Sequence, residues 1–440
     1  MLLNLPSITV IKVEEENDKD YHVYAVPNSE PQFCLECLGT AFYGHGSKTH
    51  LYMDTPIHGR RVGVLLERKR YKCRGCSKTF SQDCSDINDS HRATNRLVEY
   101  VENNALDRTF TSVADEIGVT EGTVRKIVGD YIGKLENKYL FETPEILGID
   151  EVHLNRKMRL VFTNIGENTI LDLISSRKKQ TVINALYRFK SLKKIKYVTM
   201  DMWRPYRDAV SAVLPHAIIV IDKFHVVKMA NEAVEKGRKD LRGQMTNGEV
   251  KLLKKDRFLM LRRRRDLDAS QEFLLSGWTE NYPVLHDLYH AKERFYDIWD
   301  SHYSRVEAET AYLNWKDSVP VGILGYFSDL DRAIGNWHTE VFNYFDHRIT
   351  NAYTESANNH IKSIARQGRG YSFEVLRART LFTNAKHKIK KKSFKSGIRE
   401  NILGYGLPNS NESNKCAEPF NQEFFNFGVI IPHGDEKPEY

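Results

Sequence analysis

Apolar residues between positions 141 and 232 recur with two different periods. Short apolar runs bounded by polar or turn-forming residues predict five β-strands. Their sequences are "ILGI", which reaches Asp150, "RLVFTNIG", "TILDLISSR", "KIKYVTMD", which ends on Asp201, and "AIIVID", which ends on Asp222. The segments "QTVINALYRF" and "RPYRDAVSAVL" carry apolar residues at helical spacing and predict two helices. The predicted order is therefore three strands, a helix, a strand, a helix and a strand.

This order is that of the ribonuclease H-like fold, in which the first and fourth strands are neighbours. Asp150 and Asp201 are then expected to face each other at one edge of the sheet. Two carboxylates in a cleft repel each other unless a cation lies between them. Two Mg²⁺ or Mn²⁺ ions, which prefer oxygen ligands, would use such a pair in phosphodiester chemistry. The alternative for a single aspartate at a strand end is a turn or a helix cap.

The segment "HRITNAYTESANNHIKSIARQGRGYSF" predicts a helix with a third carboxylate, Glu355. Asn358 or Asn359, and then Lys362, follow at offsets that share its face. A glutamate, an amide and a lysine along one stripe are typical of metal binding combined with phosphate contact. An ordinary surface helix would explain the same residues.

Asp222 is the alternative second aspartate, because it also follows an apolar strand. It lies one strand further from Asp150 in the expected sheet, so Asp201 is favoured as the metal ligand. Asp222 and His225, in "DKFHVVK", are then interpreted as a supporting or DNA-facing element. The rings of Trp203 and Tyr206 either pack in the core or stack on an unpaired base near the cut, and core packing is favoured for at least one of them.

Five of the six cysteines lie before residue 85. Four of them form two C-x-x-C pairs: Cys34, Cys37, Cys73 and Cys76. Two such turns complete a tetrahedral zinc site, and a site with four protein ligands is closed and structural. Disulfides, a redox pair or a fold without metal are the alternatives, but no feature of the sequence indicates secretion. The stretch "RVGVLLERKRYKC" predicts a hairpin strand leading to the second pair, whereas Cys84 and Cys416 have no partner pattern.

The stretch "RTFTSVADEIGVTEGTVRKIVGDYI" predicts two short helices joined at Gly118. Thr111 or Ser112 is expected to cap the first helix, over 113–117, and Thr120 the second. This pattern indicates a DNA-binding helix-turn-helix, although a plain helical hairpin has the same spacing. Three residues are expected to face the DNA groove: Thr123, Arg125 and Lys126.

The sequence thus predicts a multidomain α+β protein: an N-terminal zinc ribbon, a helix-turn-helix, and a ribonuclease H-like α/β catalytic domain interrupted by an all-α insertion. About 130 residues rich in helix formers separate Asp222 from Glu355, and they predict that insertion. The expected boundaries are 1–88 for the zinc ribbon, 89–140 for the helix-turn-helix, 141–232 and 346–400 for the catalytic domain, 233–345 for the insertion and 401–440 for a flexible tail.

The formal net charge is +7, and the positive residues are clustered. The insertion carries the run Arg262, Arg263, Arg264 and Arg265, and "KHKIKKKSFK" places six lysines within 386–395. Such clusters indicate contact with the DNA backbone, although a solvated helix face is the alternative. No apolar run is long enough to span a membrane, and the N-terminus does not resemble a secretory signal. A cytoplasmic bacterial protein, associated with the nucleoid when bound to DNA, is expected.

Several stretches together resemble the ISL-three family of bacterial insertion-sequence transposases, which belong to the DDE class. They are the paired C-x-x-C motifs, "GIDEVHL", "VTMDMWRPYRDAV", "LPHAIIVIDKFHVVKMANEAVEKGRK" and "NAYTESANNHIKSIARQGRGYSFEVLRAR". The resemblance runs through most of residues 30–385. It implies that Asp150, Asp201 and Glu355 are the DDE triad and that Lys362 contacts DNA near the scissile phosphate. It also relates Asp222 and His225 to a Cys/Asp-x-x-His element of several transposase families.

These observations predict a transposase that binds the terminal inverted repeats of an insertion sequence and catalyses metal-dependent strand cleavage and strand transfer. The expected cofactors are two catalytic Mg²⁺ or Mn²⁺ ions and structural Zn²⁺. The expected partners are double-stranded DNA, at the element ends and the target, and further copies of the chain in a homodimer or larger assembly. The alternative is a domesticated sequence-specific DNA-binding regulator with an inactive nuclease fold, which the three intact carboxylates disfavour.

Overall fold

The N-terminal part of the chain is a seven-stranded sheet with the strand order β1-β2-β4-β3-β7-β6, in which β5 pairs with β4. The computed structural model describes residues 3–140, 142–368 and 370–383. The strands are β1 (Ile8–Asn17), β2 (Asp20–Pro27), β3 (Phe42–Ile57), β4 (Arg60–Cys73), β5 (Thr79–Ser81), β6 (Ile87–Asn88) and β7 (Ala93–Thr94). The predicted hairpin is present, because β3 and β4 pair antiparallel from Phe42 opposite Cys73 to Ile57 opposite Arg60. The hairpin carries the chain directly to the second cysteine pair.

Three helices follow the sheet: α1 (Asn95–Asn104), α2 (Phe110–Ile117) and α3 (Glu121–Lys138). The cap predicted at Thr111 or Ser112 was wrong, because the side chain of Thr109 accepts from the backbone N–H of Ser112 and α2 begins at Phe110. The ring of Phe110 is 1% exposed, so burial of this residue extends the helix by a turn. Gly118 ends α2 in the left-handed conformation, with φ of 75°, and Thr120 caps α3 as predicted.

The second sheet has five strands in the order β10-β9-β8-β11-β12. Its elements are β8 (Ile146–Leu154), β9 (Lys157–Asn164), β10 (Thr169–Ile174), α4 (Lys179–Leu186), β11 (Tyr197–Met200), α5 (Arg204–Val213) and β12 (Ile218–Ile221). β8, β9 and β10 are antiparallel, whereas β11 is parallel to both β8 and β12. The first and fourth of these strands are therefore neighbours, as expected.

Strand β8 extends four residues past Asp150, where the sequence had predicted its end. Beyond this point every second side chain, those of Val152 and Leu154, is buried and packs with Ile361 in a small apolar cluster. Because the alternation continues, the pairing with β9 also continues as far as Lys157. Asp150 consequently lies inside a strand and not at its tip.

The remaining elements are helices: α6 (Lys223–Asp240), α7 (Asn247–Lys255), α8 (Arg257–Leu261), α9 (Ala269–Asn281), α10 (Pro283–Asp300), α11 (Arg305–Ser318), α12 (Val321–Leu324), α13 (Ser328–Asn336), α14 (His338–His347), α15 (Ala352–Gln367) and α16 (Phe373–Phe382). Helix α6 runs without interruption through the predicted boundary between residues 232 and 233. One continuous apolar core joins helices α6 to α14 to the second sheet. The amide of Asn343 in α14 also donates to the carbonyl of Ile219 in β12, at 2.8 Å.

Helix α16 joins the three N-terminal helices to the second sheet. Tyr371 and Leu376 complete the apolar core of α1, α2 and α3. Arg377 donates to Asp172 in β10, at 2.7 Å, and to Glu136 in α3. Arg379 donates to the carbonyl of Leu106, at 2.6 Å. The helix trio therefore shares its core with a helix from the far end of the chain. The lysine-rich run over 386–395 and the tail over 401–440 lie outside the described residues.

Candidate active site and metal centres

Asp150 is held from both sides by neighbouring amides. Its side chain, in a residue that is 7% exposed, accepts from the backbone N–H of Glu151 at 2.6 Å. Its second oxygen accepts from the side-chain amide of Asn358, also at 2.6 Å. Of the two asparagines that the sequence left open, Asn358 thus contacts the carboxylate, and Asn359 is exposed at the cleft wall.

Asp201 lies level with Asp150 on the adjacent strand. β11 pairs with β8 so that Thr199 is opposite Gly148, and both aspartates follow two residues later. Gly148 is required here, since a Cβ atom would lie 2.5 Å from Thr354 Oγ1 on α15. The close approach of α15 to the sheet depends on this glycine, and it brings Glu355 to the same edge.

His225, in the first turn of α6, lies between two aspartates. Its Nδ1 is 3.0 Å from Asp201 Oδ1 and 3.6 Å from Asp222 Oδ2. Burial opposes the charged imidazole, but contacts with both carboxylates raise the pKa of His225 to about 10. These contacts are ion pairs without hydrogen-bond alignment, because all three atoms lack such a partner among the described residues. The two carboxylate oxygens therefore remain available to a metal ion.

Glu355 joins this group from α15. Ligand atoms of Asp222, His225 and Glu355 all lie within 4.8 Å of one another. Burial, followed by the charge of Asp222, raises the pKa of Glu355. Burial, followed by the charge of Asp201, raises the pKa of Asp150 to about 7. Four carboxylates thus repel one another at one sheet edge, an arrangement that a divalent cation would stabilise.

A cleft of about 910 Å³ opens over these groups, with Asp150, Asp201 and Glu355 in its lining. Asp222 is only 2% exposed and lies beneath the surface. The sequence had singled out Lys362, which lines the cleft, but had missed Lys228 on α6 and Arg332 on α13. Lys228 ends the stretch "DKFHVVK", in which only Asp222 and His225 had been given a role, and Arg332 belongs to no recognisable motif. The packing of the helices places both cations beside the carboxylates.

Trp203 stands at the mouth of this cleft with 41% of its surface exposed. The guanidinium of Arg177 lies 4.9 Å from its ring centroid and also pairs with Glu151 at 2.8 Å. Glu151 in turn accepts from the hydroxyl of Tyr206, which is fully buried. Tyr206 therefore packs in the core, whereas Trp203 presents its ring to the cleft.

The four cysteines of the two C-x-x-C pairs converge as predicted. Their sulfurs all lie within 4.8 Å of one another, with 3.7 Å between Cys34 and Cys76 and 3.5 Å between Cys37 and Cys73. Four thiolates around a zinc ion at about 2.3 Å stand roughly 3.8 Å apart, so the spacing fits Zn²⁺. None of the cysteines within the described ranges forms a disulfide. Cys84 is buried apart from this site and contacts the hydroxyl of Ser7.

The residues predicted to contact DNA from α3 lie at its N-terminal end. Arg125 and Lys126 are exposed, and Thr123 is half-buried in the first turn. Arg125 pairs with Glu121 at 2.5 Å, and Lys126 donates to the carbonyl of Ser90 at 2.8 Å. Their contact with DNA remains a prediction.

The arginine run of the insertion lies among acidic side chains. Arg263, with an 11% exposed side chain, pairs with Asp297 at 2.5 Å and lies 5.0 Å from the ring centroid of Tyr296. The other three are exposed, with these contacts: Arg262 with Gln271, Arg264 with Glu272, and Arg265 with Asp300. Arg263 thus has a packing role, and the contact of the run with DNA remains a prediction.

Comparison with known proteins identifies the family of this chain. Residues 147–380 match a family model described as a transposase, and residues 30–76 match one described as the zinc-finger of transposase IS204/IS1001/IS1096/IS1165. The protein is therefore a transposase with a structural zinc ribbon. The chain belongs to the ISL-three family of DDE transposases. It is also 24% identical, over 370 residues, to the transposase for insertion sequence element IS1001 of Bordetella parapertussis. The aligned residues cover 81% of this chain and 89% of that protein. Among the described residues, no helix has the length and apolar character needed to cross a membrane.

Proposed function

We propose that this chain binds the terminal inverted repeats of its insertion sequence and catalyses metal-dependent strand cleavage and strand transfer. The observation that carries the proposal is the convergence of Asp150, Asp201 and Glu355 on one cleft, where an oxygen of Asp201 has no aligned hydrogen-bond partner in the described part of the chain. The strand order β10-β9-β8-β11-β12 supports a ribonuclease H-like catalytic domain. The resemblance of this chain to DDE transposases supports the same roles.

Asp150, Asp201 and Glu355 would hold two Mg²⁺ or Mn²⁺ ions. Such ions supply a more acidic bound water and stabilise the charge that develops on a phosphodiester. Asn358 orients Asp150, and Lys362 and Lys228 lie where they can contact the DNA phosphates. Water attacks one phosphodiester at the element end, and the freed 3′-hydroxyl then attacks target DNA. No covalent protein intermediate forms.

Asp201 is the proposed second aspartate, because it is level with Asp150 and lines the cleft. Asp222, whose ligand atom lies within 4.8 Å of those of Glu355 and His225, is the alternative ligand. Its burial and its contact with the backbone N–H of Asn351 favour a supporting role instead. In this proposal His225 holds Asp201 and Asp222 together and carries the positive charge that both require.

Recognition of the element ends is assigned to the N-terminal zinc ribbon and helices. Helices α2 and α3, joined at Gly118, act as a helix-turn-helix that presents Thr123, Arg125 and Lys126 to the groove. Trp203, Asn359 and Lys362 contact the DNA near the cut. A homodimer or larger assembly holds the two element ends together.

The test is cleavage of labelled DNA that carries the element's own end, with Mg²⁺ or Mn²⁺. Alanine at Asp150, Asp201 or Glu355 is expected to slow cleavage by about 10³-fold or more, because several kcal/mol of transition-state stabilisation is lost. Glu232→Ala is the matched control, since this exposed acid lines the same cleft outside the carboxylate group.

The outcomes separate the alternatives. If Asp222→Ala is inactive and Asp201→Ala is active, Asp222 and not Asp201 is the second metal ligand. The enzyme class is then unchanged. A wild-type protein that binds the element end but never cuts with either metal would instead be a DNA-binding regulator.

A further inference from the structure

A second cleft, of about 900 Å³, lies between the N-terminal sheet and the turn that joins α2 to α3. The β1–β2 turn, the hairpin of β3 and β4, and the segment before β7 form one side of it. The start of α3 and the end of α2 form the other. The polar and basic side chains that line this cleft include Lys19, Arg61, His91, Arg92, Thr120 and Thr123.

The walls of this cleft are fixed by direct packing between the sheet and the turn. A Cβ atom on Gly118 would lie 2.7 Å from Arg61 Cδ and 3.2 Å from Met53 Cε. Arg61 is itself held by two hydrogen bonds to Asp20, at 2.5 and 2.7 Å. The zinc-bearing sheet and the helix pair therefore form one continuous surface at this point.

Two cations face the cleft without a carboxylate partner among the residues described. Arg92 has the left-handed φ of 51°, and its backbone carbonyl accepts from Met53 N at 3.0 Å. Its guanidinium contacts Nδ1 of His50 at 3.1 Å. Burial and the charge of Arg92 lower the pKa of His50, so the imidazole is neutral and leaves the charge of Arg92 uncompensated. Lys19 lies exposed in the β1–β2 turn.

His91 adds a buried polar group with an unused nitrogen. Its side chain is 6% exposed and its Nε2 lies 3.2 Å from Asp130. Its Nδ1 has no hydrogen-bond partner within the described ranges. Thr120 and Thr123 line the same cleft at the N-terminus of the 18-residue helix α3, where backbone N–H groups favour an anion.

Acidic side chains restrict where an anion can lie. Glu116 is paired with Arg108 at 2.5 Å and accepts from Tyr100 at 2.6 Å. Asp115 is exposed on the α2 wall. The attractive side of the cleft is therefore the one formed by Lys19, Arg92 and the start of α3.

We infer that this cleft holds the phosphodiester backbone of the element-end DNA, with phosphates against Arg92, Lys19 and the first turn of α3. The inference rests on the proposed function, since it assumes that α3 binds DNA. It adds that the zinc-bearing sheet and the helix pair bind one uninterrupted stretch of duplex.

The experiment measures the affinity of the full chain for a duplex that carries the element's own end, as a function of salt. Each lost phosphate contact makes the negative slope of log affinity against log salt shallower by about 0.9. This corresponds to roughly eightfold weaker binding at 0.1 M salt. Arg92→Ala and Lys19→Ala are each expected to show this loss. Asp115→Asn is expected to tighten binding, because it removes a repulsive charge.

Arg60→Ala is the matched control. Arg60 precedes Arg61 in β4, but it pairs with Glu15 at 2.8 Å and stacks on Tyr21, and it does not line the cleft. Its replacement is expected to leave both affinity and salt slope unchanged. Zinc content and the melting temperature of each variant show whether it is folded.

Ethylation interference on the same duplex locates the contact. Ethylation of one or two backbone phosphates should hinder the wild-type protein but not Arg92→Ala. If Arg92→Ala and Lys19→Ala keep the wild-type affinity, slope and interference pattern, the cleft does not hold DNA, even if the wild type binds and cuts. If the wild type binds the element end no better than unrelated DNA, the proposed function itself fails.

Discussion

Asn358 links α15 to the carboxylate edge through a single side chain. Its amide donates to Asp150 Oδ2 at 2.6 Å and lies 3.2 Å from the carbonyl of Glu151. Because such a partner fixes the orientation of a metal-binding carboxylate, Asn358→Ala is expected to reduce the cleavage rate roughly 10- to 100-fold and to raise the Mg²⁺ concentration required.

Asn359→Ala provides the comparison for this prediction. Asn359 is exposed at the cleft wall, so its loss is expected to weaken DNA binding without changing the Mg²⁺ requirement. Equal Mg²⁺ requirements for the wild type and Asn358→Ala would show that this amide does not orient the ligand.

The zinc site allows a second prediction at the scale of single residues. Cys76→Ser removes one of four converging sulfurs, and a site with three thiolates loses much of its affinity for zinc. Metal analysis of the purified variant is expected to show loss of zinc, together with a lower melting temperature. Cys84→Ala, in which a separate buried cysteine is replaced, is expected to retain the metal. Retention of zinc by Cys76→Ser would contradict the four-cysteine assignment.

At the scale of elements, helix α10 carries a lysine that is fully buried among helices. The ammonium of Lys292 donates to the carbonyls of Met260 and Arg262, at 3.1 and 2.6 Å, and lies 4.0 Å from the ring centroid of Tyr289. Burial lowers the pKa of Lys292 from 10.5 to about 8. The amine is also paired with Glu293 at 3.0 Å, which favours its charge, but the effect of burial is larger.

This burial predicts a pH dependence of stability. Between pH 8 and 10.5 the unfolded chain retains a proton on this amine that the folded chain has released, so stability rises with pH. Relative to Lys292→Met, the free energy of unfolding of the wild type is expected to rise by up to about 3 kcal/mol over this range. Urea denaturation of both proteins at several pH values measures the difference. If the free energies of unfolding of the wild type and Lys292→Met change in parallel with pH, the folded chain keeps this proton.

At the scale of the whole molecule, helices α1, α2 and α3 depend on the far end of the described chain. Tyr371 and Leu376 complete the core of α1, α2 and α3. Each buried side chain of this size contributes about 1.5–3 kcal/mol, so a fragment that ends at residue 140 leaves an apolar face uncovered.

The fragment 1–140 is accordingly expected to bind a hydrophobic dye and to melt at a lower temperature than the fragment 1–383, which retains α16. Dye fluorescence and circular dichroism measure both properties. A fragment 1–140 that melts cooperatively at the temperature of the longer fragment would show that the trio folds without α16.

Local patterns in the sequence were sufficient for several features of this protein. The apolar runs predicted all five strands of the second sheet, because a buried strand needs consecutive or alternating apolar residues whatever surrounds it. The two C-x-x-C pairs predicted the zinc site, because both turns carry their ligands at a fixed local spacing. The same reasoning was less accurate at helix and strand ends, where the burial of Phe110 and of Leu154 extended α2 and β8.

Tertiary structure alone decided the contacts between distant segments. Asn358 and Asp150 are 208 residues apart, and no local period distinguishes Asn358 from Asn359 as the partner. Arg263 belongs to a run that indicates DNA binding, yet the neighbouring helix α10 supplies Asp297 and buries it. The sequence by itself determined which residue types and elements the protein has, since these depend on local spacing. Only the folded chain determined which cations face the carboxylates and which helix completes the core of α1, α2 and α3, because those contacts form when separately encoded surfaces pack together.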